Sequence, residues 1–196
     1  MRLFTAFFLV SAASVLGLPA QAQQAVVNVR GVITAFDGKA IQIKANDGRA
    51  VEVALPEGVN VAATKAFSLA DIKPGMMLGV TTVVRDDKVV AIDVHPIPPV
   101  VKPGLSPYDL QPQSTMTNAV LEASAKAANG DELTLDYKTG TVKVLVPPGT
   151  PMSQSVPGSR EDLKAGETIY VAARDEGGKL TAVRVQVSKD GVKPTQ

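Results

Sequence analysis

Leu55-Pro56-Glu57-Gly58, followed by Asp71-Ile72-Lys73-Pro74-Gly75, returns later in the chain as Val146-Pro147-Pro148-Gly149, followed by Asp162-Leu163-Lys164-Ala165-Gly166. Gly58 falls on Gly149 and Gly75 on Gly166, a constant offset of 91 residues that needs no gap. Farther on, Lys88, Ala91 and Val94 fall on Lys179, Ala182 and Val185. Upstream, Ile41-Gln42-Ile43 fits Leu133-Thr134-Leu135 at an offset of 92, so one insertion separates the early parts. Self-similarity at a fixed period marks copies of one structural unit, and this chain holds two.

Each copy reads as strands. Val26 to Phe36 is rich in β-branched residues with Gly31 inside it, where glycine marks a bend. Asp37-Gly38 turns, Ala40 to Ala45 alternates, Asp47-Gly48 turns again, and Ala50 to Leu55 alternates once more. A short helical turn follows, with Ser68 and Asp71 in capping-box spacing and Pro74-Gly75 as its stop. The second copy repeats the device with Ser159, Asp162 and Gly166. Met76 to Val84 and Lys88 to Val94 then form a last hairpin over Asp86-Asp87, as Glu167 to Arg174 and Lys179 to Val187 do over Gly177-Gly178. Three strands, a short helical turn and two strands is the element order of an OB-type barrel. The expected fold is therefore all-β: two tandem small five-stranded OB-like barrels, each with a short helical turn between strands 3 and 4. Small sandwiches of the same strand count are the alternative.

The expected boundaries are a signal peptide over 1–22, a first repeat over 23–95, a connector over 96–114, a second repeat over 115–190 and a tail over 191–196. Leu3 to Leu18 is apolar apart from Thr5, Ser11 and Ser14, and Ala20-Gln21-Ala22 offers small residues for cleavage after Ala22. Export to a bacterial periplasm is the expected destination. No other stretch is long and apolar enough to span a bilayer. The connector carries Pro96, Pro98, Pro99, Pro103, Pro107 and Pro112, and proline lacks the donor a ladder needs, so it reads as a stiff linker and not a strand. Ile97, Val100, Val101, Leu105, Tyr108 and Leu110 predict that it packs on a barrel.

Several function classes are disfavoured by composition. Removing residues 1–22 removes one base, Arg2, and no acid, which leaves 19 basic against 19 acidic side chains. Phosphate contacts need a basic surface, and with no Trp and few aromatics for stacking nucleic acid is an unlikely partner. The absence of cysteine removes disulfides, thiol nucleophiles and thiolate metal sites. Walker, dinucleotide and EF-hand motifs are missing.

The phrases Ala70-Asp71-Ile72-Lys73-Pro74-Gly75, Ser106-Pro107-Tyr108-Asp109-Leu110-Gln111-Pro112, Ser114-Thr115-Met116-Thr117-Asn118-Ala119 and Lys189-Asp190-Gly191-Val192 resemble those of short exported proteobacterial proteins that commonly carry the label "metal ABC transporter permease". The resemblance covers nearly the whole chain after residue 22. Each repeat also resembles small exported bacterial domains of unknown function with an OB-like barrel. A permease needs several membrane-spanning helices, so the resemblance implies compartment and architecture, and at most work near metal transport.

His95 is the only histidine, and Asp93 lies two residues before it, on the same face of a strand. Together they form the candidate metal site, although two ligands do not make a selective one. The repeat places Arg184 and Gln186 at these positions and apolar residues between them, a pattern that predicts a solvated strand face. Ser153, Ser155 and Ser159 fall in a Pro/Gly-rich loop with no evident base, so no nucleophilic triad can be named. The candidate ligand groove lies between the barrels, bordered by Tyr108, Asp109 and His95. The expected function is a non-enzymatic binding or adaptor module of the cell envelope, with no cofactor beyond a possible metal ion and with another envelope protein or a cell-wall or small ligand as partner. Two alternatives stand beside it: a weak metal-binding accessory protein, and a cell-wall or sugar-acting enzyme with paired carboxylates.

Overall fold

Burial alternates with period two along Ala40–Ala45, whereas residues 77–83 are buried without a break. The computed structural model describes residues 26–194; the signal segment expected over 1–22 lies outside them. The first repeat supplies β1 (Val26–Phe36), β2 (Ala40–Ala45), β3 (Ala50–Ala54), β4 (Val61–Ala66), β5 (Met77–Arg85) and β6 (Lys88–Pro96). β7 (Gly104–Tyr108) follows, then β8 (Ser114–Ala127), β9 (Gly130–Asp136), β10 (Thr141–Val146), β11 (Ser153–Pro157), β12 (Thr168–Glu176) and β13 (Lys179–Val187). The helical turns are single 3-10 turns, Leu69–Asp71 and Arg160–Asp162. In the first, the Ser68 backbone N–H and hydroxyl donate to Asp71 Oδ2 at 2.9 and 2.7 Å. In the second, Ser159 N–H donates to Asp162 Oδ2 at 2.8 Å.

The fold is all-β and contains two five-stranded barrels. One closes in the order β13-β12-β1-β2-β3, with β3 pairing back to β13. The other closes in the order β5-β6-β10-β9-β8, with β8 pairing back to β5. The repeats are therefore not the barrels. Each barrel takes three consecutive strands from one repeat and a hairpin from the other, so strand pairing crosses the expected boundaries 23–95 and 115–190. The chain passes from the first barrel to the second between β4 and β5 and returns between β10 and β11. The first crossing follows β4 and the second precedes β11, its mate in the repeat, so the two lie on either side of one repeat element.

This exchange has an axis. β4 and β11 pair antiparallel, and Thr64 lies opposite Ser155, which is its own mate at the 91-residue offset. Two identical segments running antiparallel can pair residue against own mate only about a two-fold axis. The neighbouring ladders obey the same symmetry: β4 runs parallel to β13 with Val61 on Val185, and Met152 bridges Val94 in the same sense. Each barrel has its own core. Ile41, Ile43, Val53 and Leu55 lie in the first, and their mates Leu133, Leu135, Val144 and Val146 lie in the second. Leu78, Val80, Ala91 and Val94 of the second barrel match Ile169, Val171, Ala182 and Val185 of the first.

Three segments not read as strands are strands: β4, so that the first helical turn follows a fourth strand rather than lying between strands 3 and 4, and the two that come next. The connector holds β7, which pairs only with β8 as the edge of its sheet; Pro107 is tolerated there because an edge strand leaves one row of backbone groups outside the ladder. Ser153 and Ser155 lie on β11 rather than in a loop. Hydrophobic periodicity does not mark these last two short segments, because they lie against barrel walls and not in a core. Of the connector residues expected to pack on a barrel, Ile97 donates its N–H to Met77 O at 3.0 Å, whereas Val100 is 92% and Leu105 50% exposed. Of the tail, Val192 accepts a hydrogen bond from the Thr64 hydroxyl.

Gly31 shows why the first strand needs its glycine. A Cβ there would stand 2.2 Å from the Lys44 carbonyl oxygen and 2.8 Å from Ala45 Cα, both backbone atoms of β2. Gly31→Ala is expected to cost about 1–3 kcal/mol through forced backbone shifts, a fall in Tm of roughly 3–10 °C for a chain of this size. Gly58→Ala, with nothing within 4 Å, is the control, and melting followed by circular dichroism checks the pair.

Candidate functional site

β6 carries the chain's one imidazole into the contact between the barrels. Thr81 faces Asp93 and Thr82 faces Ala91, so Ile92 forms a bulge, and a bulge re-aims the side chains that follow it. Val94 points into its own barrel with no exposure, while Asp93 and His95 point the other way and are 0% and 3% exposed. The solvated face expected for these two is therefore wrong. Alternation correctly separates inside from outside, but the outside of β6 is covered by the first barrel and the connector. Within the buried pair, His95 Nδ1–H donates to Asp93 Oδ2 at 2.7 Å. An unpaired polar group there would cost free energy.

The ring fits because β5 presents no side chain beneath it. Gly79 lies opposite His95, and a Cβ at Gly79 would come within 2.3 Å of His95 Nε2. On the far side of Gly79 is Asn118 of β8. At the mate of Gly79 the first barrel has Tyr170, with Gln186 opposite it and Arg30 on its other flank. The scaffold is symmetric and this surface is not.

Tyr170 sits among cations. The Arg30 guanidinium carbon lies 5.2 Å from its ring centroid and that of Arg184 lies 5.8 Å away, distances at which cation–π attraction acts. Arg30 also lies 5.5 Å from the Tyr108 ring. Its Nη2 donates to Tyr108 Oη at 3.2 Å and to Asp109 Oδ1 at 2.9 Å. Asn28 Nδ2 donates to Asp109 Oδ2 at 3.0 Å, and Tyr170 Oη donates to Asn28 Oδ1 at 2.9 Å. This network ties the connector to the first barrel. Burial pushes the Tyr108 hydroxyl up to about 12, with nearby Tyr170 adding and Arg30 opposing. Burial also raises the Asp109 carboxyl, but hydrogen bonds from Arg30 and Asn28 and the charge of Arg30 outweigh it, and the group ends below its usual 3.8. For Arg30 burial acts downward and is overcome by Asp109, leaving the pKa raised.

Between these walls lies a cleft of about 730 Å³. The second barrel gives His95, Met116 and Asn118 and the first gives Tyr170 and Arg184, while Asn60, just before β4, Ala62 of β4 and Ser155 of β11 add to the lining. Pro96, Ile97, Pro98, Val101 and Tyr108 close one side. No Asp or Glu lines it. Of the four candidate residues, His95 and Tyr108 meet in this cleft. Asp93 stands behind His95 as its orienting partner, and Asp109 is drawn away to Arg30. Among the described residues no three His, Cys, Asp or Glu side chains gather where a metal could be held. Ser155 accepts from Gln186 Nε2 at 2.6 Å. A second hollow of about 600 Å³ beside β4 and β11 has Arg160 as its charged side chain, and that group is spent on the carbonyls of Gly38, Leu55 and Pro56.

A scan of protein-family models and searches of curated proteins and of solved structures found no match to this chain.

Sequence reasoning missed Arg30, Gly79, Asn118 and Tyr170. A signal existed for one pair: Gly79 falls on Tyr170 at the 91-residue offset, an exchange of the smallest residue for a large one on a strand whose other core positions match.

Two outcomes follow from this geometry. Gly79→Ala is expected to push the imidazole off Asp93, raising several-fold the rate at which diethyl pyrocarbonate modifies the lone histidine, read by mass spectrometry. Because the folded Asp109 carboxyl titrates below its unfolded value, its contribution is present above pH 3.8 and lost as pH falls through the lower folded value. Wild type is thus expected to melt above Asp109→Asn at pH 7, with the gap closing at strongly acid pH.

Proposed function

We propose that the protein is an exported, non-enzymatic binding module of the cell envelope, and that the cleft between its barrels takes a small ligand. The observation that carries this reading is the cleft itself: a hollow of ligand size, walled by both barrels and the connector, with apolar prolines and Met116 facing polar His95, Asn118 and Arg184. Apolar lining with a few fixed polar groups is how small-molecule sites hold and orient their ligands. His95 supports it further, because a ring bonded at Nδ1 and seated over Gly79 is held in one orientation.

Export is read from Leu3 to Leu18 and the small-residue exit at Ala20-Gln21-Ala22; no helix among the described residues is long and apolar enough to cross a membrane. Binding is favoured over paired-carboxylate hydrolysis because such chemistry needs two carboxyl groups flanking a bond, and the cleft is lined by none. A second reading, weak metal binding, draws on the Asp93–His95 bond, since metal-ligating histidines donate their other ring N–H to a carboxylate. On that reading Asp93 orients and only His95 ligates.

Native mass spectrometry with elemental analysis, on protein purified gently from its own host, tests both. A small organic molecule near one per chain is expected, with retention weakened several-fold in Asn118→Ala, the loss of one hydrogen-bonding group of the lining. A metal near one per chain that disappears in His95→Ala would install the second reading instead. Protein that carries neither, and binds no member of a broad metabolite panel, would overturn the cleft as a site.

A further inference from the structure

We infer that two copies of this chain can exchange halves, each barrel then being built from the N-terminal half of one copy and the C-terminal half of the other. The basis is the distribution of ladders. Within the first half, β1–β2, β2–β3 and β5–β6 pair; within the second, β8–β9, β9–β10 and β12–β13 pair. Every ladder that closes a barrel or joins the barrels runs between halves: β1–β12, β3–β13, β4–β13, β4–β11, β5–β8 and β6–β10. Arg160 of the second half adds its grip on Gly38, Leu55 and Pro56 of the first. Neither half closes a barrel within this fold, so the halves already meet as two partners do in an obligate dimer.

A single covalent link makes those partners one molecule, the stretch from Pro96 at the end of β6 to Gly104 at the start of β7. Its sole internal backbone bond is the turn in which Val101 N–H donates to Pro98 O at 3.0 Å, with Val100 92% exposed at the tip. Pro98, Pro99 and Pro103 favour extended backbone, which is the form a link needs to run to a second copy. Opening the turn leaves every inter-half ladder, and the Arg30–Asp109 clamp, to be remade with identical residues from that copy, so exchange changes the hinge alone. Short links impose an effective concentration on the order of millimolar. The closed monomer therefore wins at micromolar protein, and exchange competes when the chain refolds near that concentration.

The test uses the chain's lack of cysteine. Val26 faces Arg174 across the β1–β12 ladder, and both are exposed. The double variant V26C/R174C, which can bond within one chain, sets the oxidation conditions. Two full-length single variants of different isotopic mass, V26C and R174C, are then unfolded together in guanidinium, refolded at about 10 µM and at about 1 mM, oxidised and weighed. The expected product is a disulfide-linked pair of one V26C and one R174C chain, its ratio to monomer rising about tenfold for each tenfold rise in monomer concentration, and absent when the two are mixed already folded. Monomer alone at both concentrations, or a dimer without the V26C–R174C link, would overturn the inference.

Discussion

The β4–β11 ladder is the contact on which the rest of the molecule depends. Thr64 lies opposite Ser155, the same position of the repeat met again in the opposite direction. Once those segments pair about an axis, each repeat must send its first three strands to one side and its closing hairpin to the other. The barrels are then joined through β13, β4, β11 and β6 by backbone pairing rather than by side-chain contact alone. This fixes the relative placement of the barrel walls far more firmly than a linker would, and a hollow between such walls holds its shape.

Symmetry also separates the positions the barrels need from those they leave free. Core positions keep their character between the copies, as Leu78 with Ile169 and Val94 with Val185 show, because both must fill a barrel interior. At the cleft the mates diverge: Gly79 against Tyr170, Asp93 against Arg184, His95 against Gln186. The barrel fold does not require a histidine at the last of these positions, since the other copy closes without one. Burying a polar pair where apolar packing would serve is weak evidence of a stabilising role. The presence of the Asp93–His95 pair on one wall, with aromatic and cationic groups on the other, gives the hollow two chemically different ends.

Much of this was legible before any coordinates. The alternation of Ala40 to Ala45 and the Asp-Gly turns beside it define β2 within its observed bounds, and the Ser68–Asp71 spacing correctly marks a short helical turn. The exchange was not legible for a physical reason. Strand periodicity reports which side chains face a core and not whose strands complete it, and Leu78 and Ile169 would serve either barrel. The same limit hid the site: Asp93 and His95 read as outward, and only the first barrel and the connector make outward mean buried. Tyr108 and His95 were nonetheless placed together by arguing that ligands favour clefts between domains, whereas Arg30 and Tyr170 looked like ordinary strand residues.

The crossing of the chain between barrels also sets an order of events as it emerges from N- to C-terminus, whether from a ribosome or through a membrane. The barrel that begins with β1 cannot close until β13, ending at Val187, has appeared; the other waits only for β10, ending at Val146. During that interval β1 to β3 form a sheet with two open edges, the kind of surface that recruits a neighbouring chain. The long sequence separation of those contacts slows closure as well. The order of the strands therefore sets an interval in which the edges of β1 to β3 stand unpaired, independent of how stable the finished barrels are.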